Sequence, residues 1–176
     1  MFACFVIGAI LSQVIWVLLS HRMGKFAALV IGLCLYMILL SAIYAALPSV
    51  NVTLIAILFI LAGFTNGAYQ QIPWAMFPDL MDVTRKETGD AIEGAFSAIW
   101  LFGQKIANAI APLFLALVLG MFGWKETTDG FTEQSDGAIE ALRLSITLLP
   151  AGILLIAILA LVVLYRPVAK DYLARR

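Results

Sequence analysis

Charge is what this sequence has least of. Of its 176 residues 12% are Asp, Glu, Lys or Arg, one is His, and 63% are hydrophobic. With a mean hydropathy of +1.01, that composition excludes an ordinary water-soluble globular domain. The formal net charge is zero, so no basic field marks a nucleic-acid partner. Cysteine is also scarce: Cys4 and Cys34 both lie in apolar runs, where small buried hydrophobes are expected in place of a disulfide or metal ligands. Met1 to Ser20 lacks a basic leading region and a small-residue cleavage site, and so reads as a membrane span, not a signal peptide. A first span that begins this abruptly leads us to expect further spans upstream.

What is present is long apolar runs. A hydrocarbon core about 30 Å thick needs roughly 20 apolar residues in a helix, and five stretches qualify: about 2–20, 26–47, 52–77, 95–122 and 142–165. Runs of this length without polar alternation do not fit barrel strands. The expected fold is an all-α integral membrane protein, a single transmembrane domain over residues 1–176 whose first partner is the lipid bilayer.

The connectors set an expected orientation, because Lys and Arg concentrate on the cytoplasmic side of spans. Arg22, Lys25, Arg85, Lys86, Arg166, Lys170, Arg175 and Arg176 fall on one side, and only Lys125 and Arg143 on the other. The N-terminus is therefore expected outside and the C-terminus in the cytoplasm, in a multi-pass protein of the cell membrane.

Polar residues within the spans form helical stripes. Gly8, Ser12, Trp16 and Ser20 share one face, as do Gly63, Gly67, Gln70 and Trp74, with Asn66 and Gln71 beside them. In the fourth span Ser97, Gln104, Asn108 and Pro112 share a face bordered by Lys105. For Gly8, Ser12 and Gly63 the simpler reading is close helix packing. Gln70, Gln71, Trp74, Gln104 and Asn108 are candidates for the lining of a wet cavity, since burying amides without partners is costly. The second and fifth spans, nearly pure Leu, Ile, Val and Ala, are expected to face lipid.

Lys105 lies roughly eight residues inside the fourth span, about 12 Å of helix rise from its end. A Lys at a helix centre costs about 2.5 to 3.5 kcal/mol on insertion scales, which the surrounding apolar residues offset at about 0.3 to 0.6 kcal/mol each. Either the lysine snorkels to the interface, or it faces an aqueous cavity and meets a solute or an acid. No carboxylate lies deep in the five spans, so such an acid would come from elsewhere. Asp79 and Asp82, three residues apart, share a side if helicity continues there. They suit a cytoplasmic gate with Arg85, Lys86, Glu93 and the basic turn Arg22–Lys25 better than a metal site, for which a third ligand of suitable spacing is missing. Thr88 or Asp90 is expected to cap the fourth helix, and His21 to be a surface residue.

Four motifs, in order, resemble the glycoside-pentoside-hexuronide:cation symporters, the melibiose-permease branch of the major facilitator superfamily. Arg22-Met23-Gly24-Lys25 is similar to the basic turn after that family's eighth helix, without the acid common in the wider superfamily. Asp79-Leu80-Met81-Asp82, with Thr88-Gly89 and Glu93-Gly94, resembles the loop between helices ten and eleven, although Ala91 stands where the family often has arginine. Lys105, with Ala107 and Ala109 nearby, matches the helix-eleven lysine that lines the solute and cation cavity. Gly123-Trp124 and Pro150 resemble the family's ending. The resemblance implies helices eight to twelve of twelve, most of the C-terminal half of the bundle.

The function it implies is part of a secondary active transporter, a Na⁺- or H⁺-coupled sugar or glycoside symporter working by alternating access, with no other cofactor. The family's cation-binding acids and most sugar contacts belong to an N-terminal half outside this sequence, which becomes the missing partner. Alternatives are a lipid or lysophospholipid carrier of the same superfamily, a Mg-dependent membrane prenyltransferase using Asp79 and Asp82, or an inactive remnant.

Overall fold

A computed structural model describes residues 1–48, 51–89, 93–125 and 132–165; the side chains of Val83, Glu87 and Thr88 are not described. Its elements are α1 (Phe2–Met23), α2 (Lys25–Ala46), α3 (Val52–Thr88), α4 (Glu93–Met121), α5 (Asp136–Ile146) and α6 (Leu148–Ala160), the last continued by a π-helical turn at Leu161–Tyr165. Five helical stretches are long and apolar enough to cross a membrane: Phe2–Met23, Lys25–Ala46, Val52–Lys86, Glu93–Met121 and Asp136–Tyr165. The chain forms two compact units, residues 1–75 with 147–176 and residues 76–146.

In the first unit α1 and α3 approach almost to backbone contact. A Cβ added at Gly8 would lie 2.0 Å from the Ile60 carbonyl oxygen, and one at Gly63 would lie 1.9 Å from that of Phe5. Without a hydrophobic driving force between helices in lipid, small residues and close van der Waals contact are what hold such a pair. Gly67 meets the Ser12 hydroxyl in the same way, and Gly32 of α2 admits Ala68 and the Trp16 ring. The close-packing reading of Gly8, Ser12 and Gly63 thus describes what they do.

The lipid-facing expectation for the second span is corrected. Ala28, Leu29, Gly32, Leu33, Leu40 and Ile43 of α2 are buried, and α2 packs on both α1 and α6. Leucine-rich composition is the same whether a face meets lipid or another helix, so composition could not decide. The fifth span is likewise partly covered, with Ala151 and Ile158 buried, and it breaks at Thr147. Pro150 explains the break: its ring would collide with the Ile146 carbonyl in a continuous helix, but it is tolerated in the first turn of a new one.

In the second unit α4 packs on α5, where Ala138 and Ala141 are buried. Phe77 and Trp100 meet at 5.2 Å between ring centroids. The connection between these helices is closed at its base by Gln134, whose amide accepts from the Lys125 backbone N–H and donates to the Lys125 carbonyl, both at 2.9 Å. Ser135 caps α5, its hydroxyl accepting from the Ala138 amide at 3.2 Å.

Candidate functional site

Each unit carries one group of the polar residues singled out as cavity lining. In the first, α3 presents Gln70 and Trp74 to the outside, while Gln71 is half-buried. The Gln71 Oε1 is fully buried and accepts no hydrogen bond, a state that costs about 1 to 3 kcal/mol for a polar atom. Pro73 and Pro78 lie inside the same helix, which runs on to Thr88; having no N–H groups, they cannot donate to the carbonyls four residues earlier. Polar backbone is exposed in a span only where it meets protein or water.

In the second unit Gln104, Lys105 and Asn108 all lie on α4 and all are exposed. Residues 104 and 108 are one turn apart, and 105 and 108 nearly so, which puts the three on one side of the helix. Pro112 lies inside this helix and removes the amide that would pair with the Asn108 carbonyl. A cation, two amides and a loosened carbonyl are therefore concentrated in little more than a turn. Lys105 stands twelve residues past the helix start at Glu93, about 18 Å along the axis. No hydrogen bond or ion pair of Lys105 is found among the described residues.

The proposed gate residues occupy helix ends. α3 continues to Thr88, so Asp79 and Asp82 are helical, and both are exposed, as are Arg85 and Lys86. Arg85 pairs with Glu93 at 3.3 Å, joining the end of α3 to the start of α4. Both side chains are well exposed, and such a pair is worth about 0 to 1 kcal/mol. On the first unit Arg22 is exposed, and Lys25 Nζ donates to the Ala75 carbonyl at 2.9 Å. Among the described residues no group of three or more His, Cys, Asp or Glu is placed to hold a metal ion. Asp90 and Ala91, and the basic residues Arg166, Lys170, Arg175 and Arg176, lie outside the described residues.

Sequence reasoning missed Tyr36. Its hydroxyl lies beside the Asn66 side chain, and its ring lies 6.4 Å from that of Phe5. With Trp16 Nε1 donating to the Phe64 carbonyl at 2.8 Å, this forms a polar seam inside the first unit. A tyrosine in an apolar run was the available signal, since a buried phenol needs a partner.

Long apolar helices that carry prolines inside them, with two amides and a lysine exposed on α4, fit an integral membrane bundle. The chain belongs to the MFS/sugar transport protein family, a family of transporters and not of enzymes, whose model matches residues 1–167, in agreement with the symporter resemblance of its motifs. It is 29% identical over 149 residues to an uncharacterized symporter of Synechocystis sp. (84% of this chain, 27% of that protein). It is 29% identical over 160 residues to the sodium-dependent lysophosphatidylcholine symporter 1-A of Danio rerio (87% of this chain, 28% of that one). To the glucuronide carrier protein homolog of Escherichia coli it is 28% identical over 140 residues (77% and 29%). The chain thus spans under a third of each of these three relatives. No solved structure matches it.

Proposed function

We propose that the chain is part of a Na⁺- or H⁺-coupled symporter for a sugar or glycoside, working by alternating access in the cell membrane. The observation that carries this reading is the face of α4 where Lys105, Gln104 and Asn108 stand beside the carbonyl loosened by Pro112. In a bilayer an ionisable side chain at that depth is stable against a solute, an ion, water or a partner charge, and marks a transport pathway. Lys105 supplies positive charge toward a solute or a coupling acid, and the amides supply both donors and acceptors; in the other unit Gln70, Gln71 and Trp74 are the corresponding cavity candidates.

No Asp or Glu lies in the middle of the five spans. The acid that binds the coupling ion therefore belongs to an N-terminal half outside these residues, and transport comes from rocking of the two halves about a midplane site. Asp79, Asp82, Arg85, Lys86 and Glu93 act as a cytoplasmic gate whose ion pairs, such as Arg85–Glu93, break in each cycle, and Arg22 and Lys25 stand at the cytoplasmic end of the other unit. The N-terminus of the chain faces outward and its C-terminus the cytoplasm.

A second reading, a lysophospholipid carrier, is favoured by the similarity to the Danio rerio symporter. Uptake separates the two. Vesicles bearing the full-length parent, with an imposed Na⁺ or H⁺ gradient, are expected to accumulate labelled glycoside and not labelled lysophosphatidylcholine. The reverse preference would overturn the sugar reading.

A further inference from the structure

The first unit contains basic side chains and no acidic ones among its described residues. Neither residues 1–75 nor 147–165 include a single Asp or Glu. Its described basic side chains, His21, Arg22 and Lys25, all fall at the turn joining α1 to α2. Gly24 makes the reversal with φ of +87°, and nothing lies within 4 Å of where its Cβ would stand, so the turn is open. Lys25 is tethered to the Ala75 carbonyl. The next residue, Phe26, stacks on Tyr165 with centroids 5.4 Å apart, and aromatic side chains of this kind mark the level of the headgroups.

Arg22 is exposed above an apolar track. Leu18, Ile15 and Leu11 follow it down α1 at one-turn spacing, exposed by 57%, 43% and 64%. A guanidinium at the interface with an aliphatic helix face beneath it matches a phospholipid in both its parts: an anionic phosphate and an acyl chain.

We propose that this turn is a binding site for an anionic phospholipid, with Arg22 on the phosphate and the Leu11–Leu18 face along the acyl chain. Lys25, held by α3, adds positive charge at the same depth. A lipid of net negative charge is favoured over a zwitterion, because two neighbouring cations in a unit whose described residues carry no carboxylate select net charge and not merely a phosphate. The site is independent of which solute the carrier moves.

Native mass spectrometry of the chain released from nanodiscs tests it, using four parts phosphatidylcholine to one part phosphatidylglycerol with identical acyl chains. The chain is expected to retain phosphatidylglycerol in preference to phosphatidylcholine. Arg22→Gln should lower that preference about fivefold, the weight of one interfacial charge, while Arg22→Lys keeps most of it and Lys86→Gln leaves it unchanged. Equal losses in Arg22→Gln and Lys86→Gln would reduce the effect to diffuse attraction and overturn the site. So would unchanged retention in Arg22→Gln with helicity intact by circular dichroism, or a rise in retention on Asp82→Asn, which would assign Arg22 to a carboxylate instead.

Discussion

The indole nitrogen of Trp16 donates to the backbone carbonyl of Phe64 at 2.8 Å, joining two helices across forty-eight positions of sequence. The ring is 2% exposed, packs against Phe64 at 6.4 Å, and fills the space that Gly32 leaves open. One side chain thus ties α1 to both α2 and α3.

Removing the indole donor and removing the ring should therefore differ. Trp16→Phe loses one interhelical hydrogen bond, about 1 kcal/mol. Trp16→Ala also leaves a cavity, for a total of about 3 to 5 kcal/mol. Unfolding in mixed micelles, followed by circular dichroism, is expected to rank them in that order, and equal losses would contradict the bond.

Glycine substitutions should split by helix. At Gly63 an alanine Cβ meets the Phe5 carbonyl, so Gly63→Ala must separate α1 from α3 and destabilise. At Gly103 of α4 nothing lies within 4 Å, and alanine there should be neutral or stabilising by up to about 1 kcal/mol through helix propensity. The same unfolding assay reads both signs.

Lys105 is tested by comparing insertion with transport. In the full-length parent, Lys105→Met should insert as well as the native sequence or better, since a cost of about 3 kcal/mol is removed. Gradient-driven uptake should nevertheless fall at least about tenfold, a loss of roughly 1.4 kcal/mol or more. Full uptake would return Lys105 to a snorkelling role.

The chain alone, purified into vesicles, should show no gradient-driven accumulation of labelled sugar. It spans 27% to 29% of the three relatives compared here, and an alternating-access site needs two halves. Coupled uptake by these 176 residues would refute the division of labour proposed above.

Gln134→Leu should loosen the base of the α4–α5 connection. Both hydrogen bonds to Lys125 are lost, and hydrogen exchange at the Lys125 amide should rise about tenfold or more, as befits bonds worth roughly 1 kcal/mol each. Exchange within α1 should not change.

The spans were legible because hydropathy over some twenty residues is a strong signal, and the chemistry of α4 because a lysine inside such a run stands out. Position within the bundle was not legible. Leu33 and Leu40 are buried while Leu35 is exposed, yet all three are leucines in one apolar run; what separates them is the approach of α1 and α6, a tertiary fact. Gly32 was the available hint, as was Pro150 for the break at Thr147. Pairings such as Tyr36 with Asn66 or Trp16 with Phe64 depend on helix registry, which a hydropathy pattern does not encode.

Pro112 gives α4 a mechanical property that α1 does not share. A helix lacking one rung bends there more readily than elsewhere, and no residue of α4 is buried, its packing on α5 and on Phe77 leaving every side chain at least partly open. The weak rung falls just past the turn bearing Lys105, whereas α1, in near-backbone contact with α3 at Gly8 and Gly63, is braced against its neighbour.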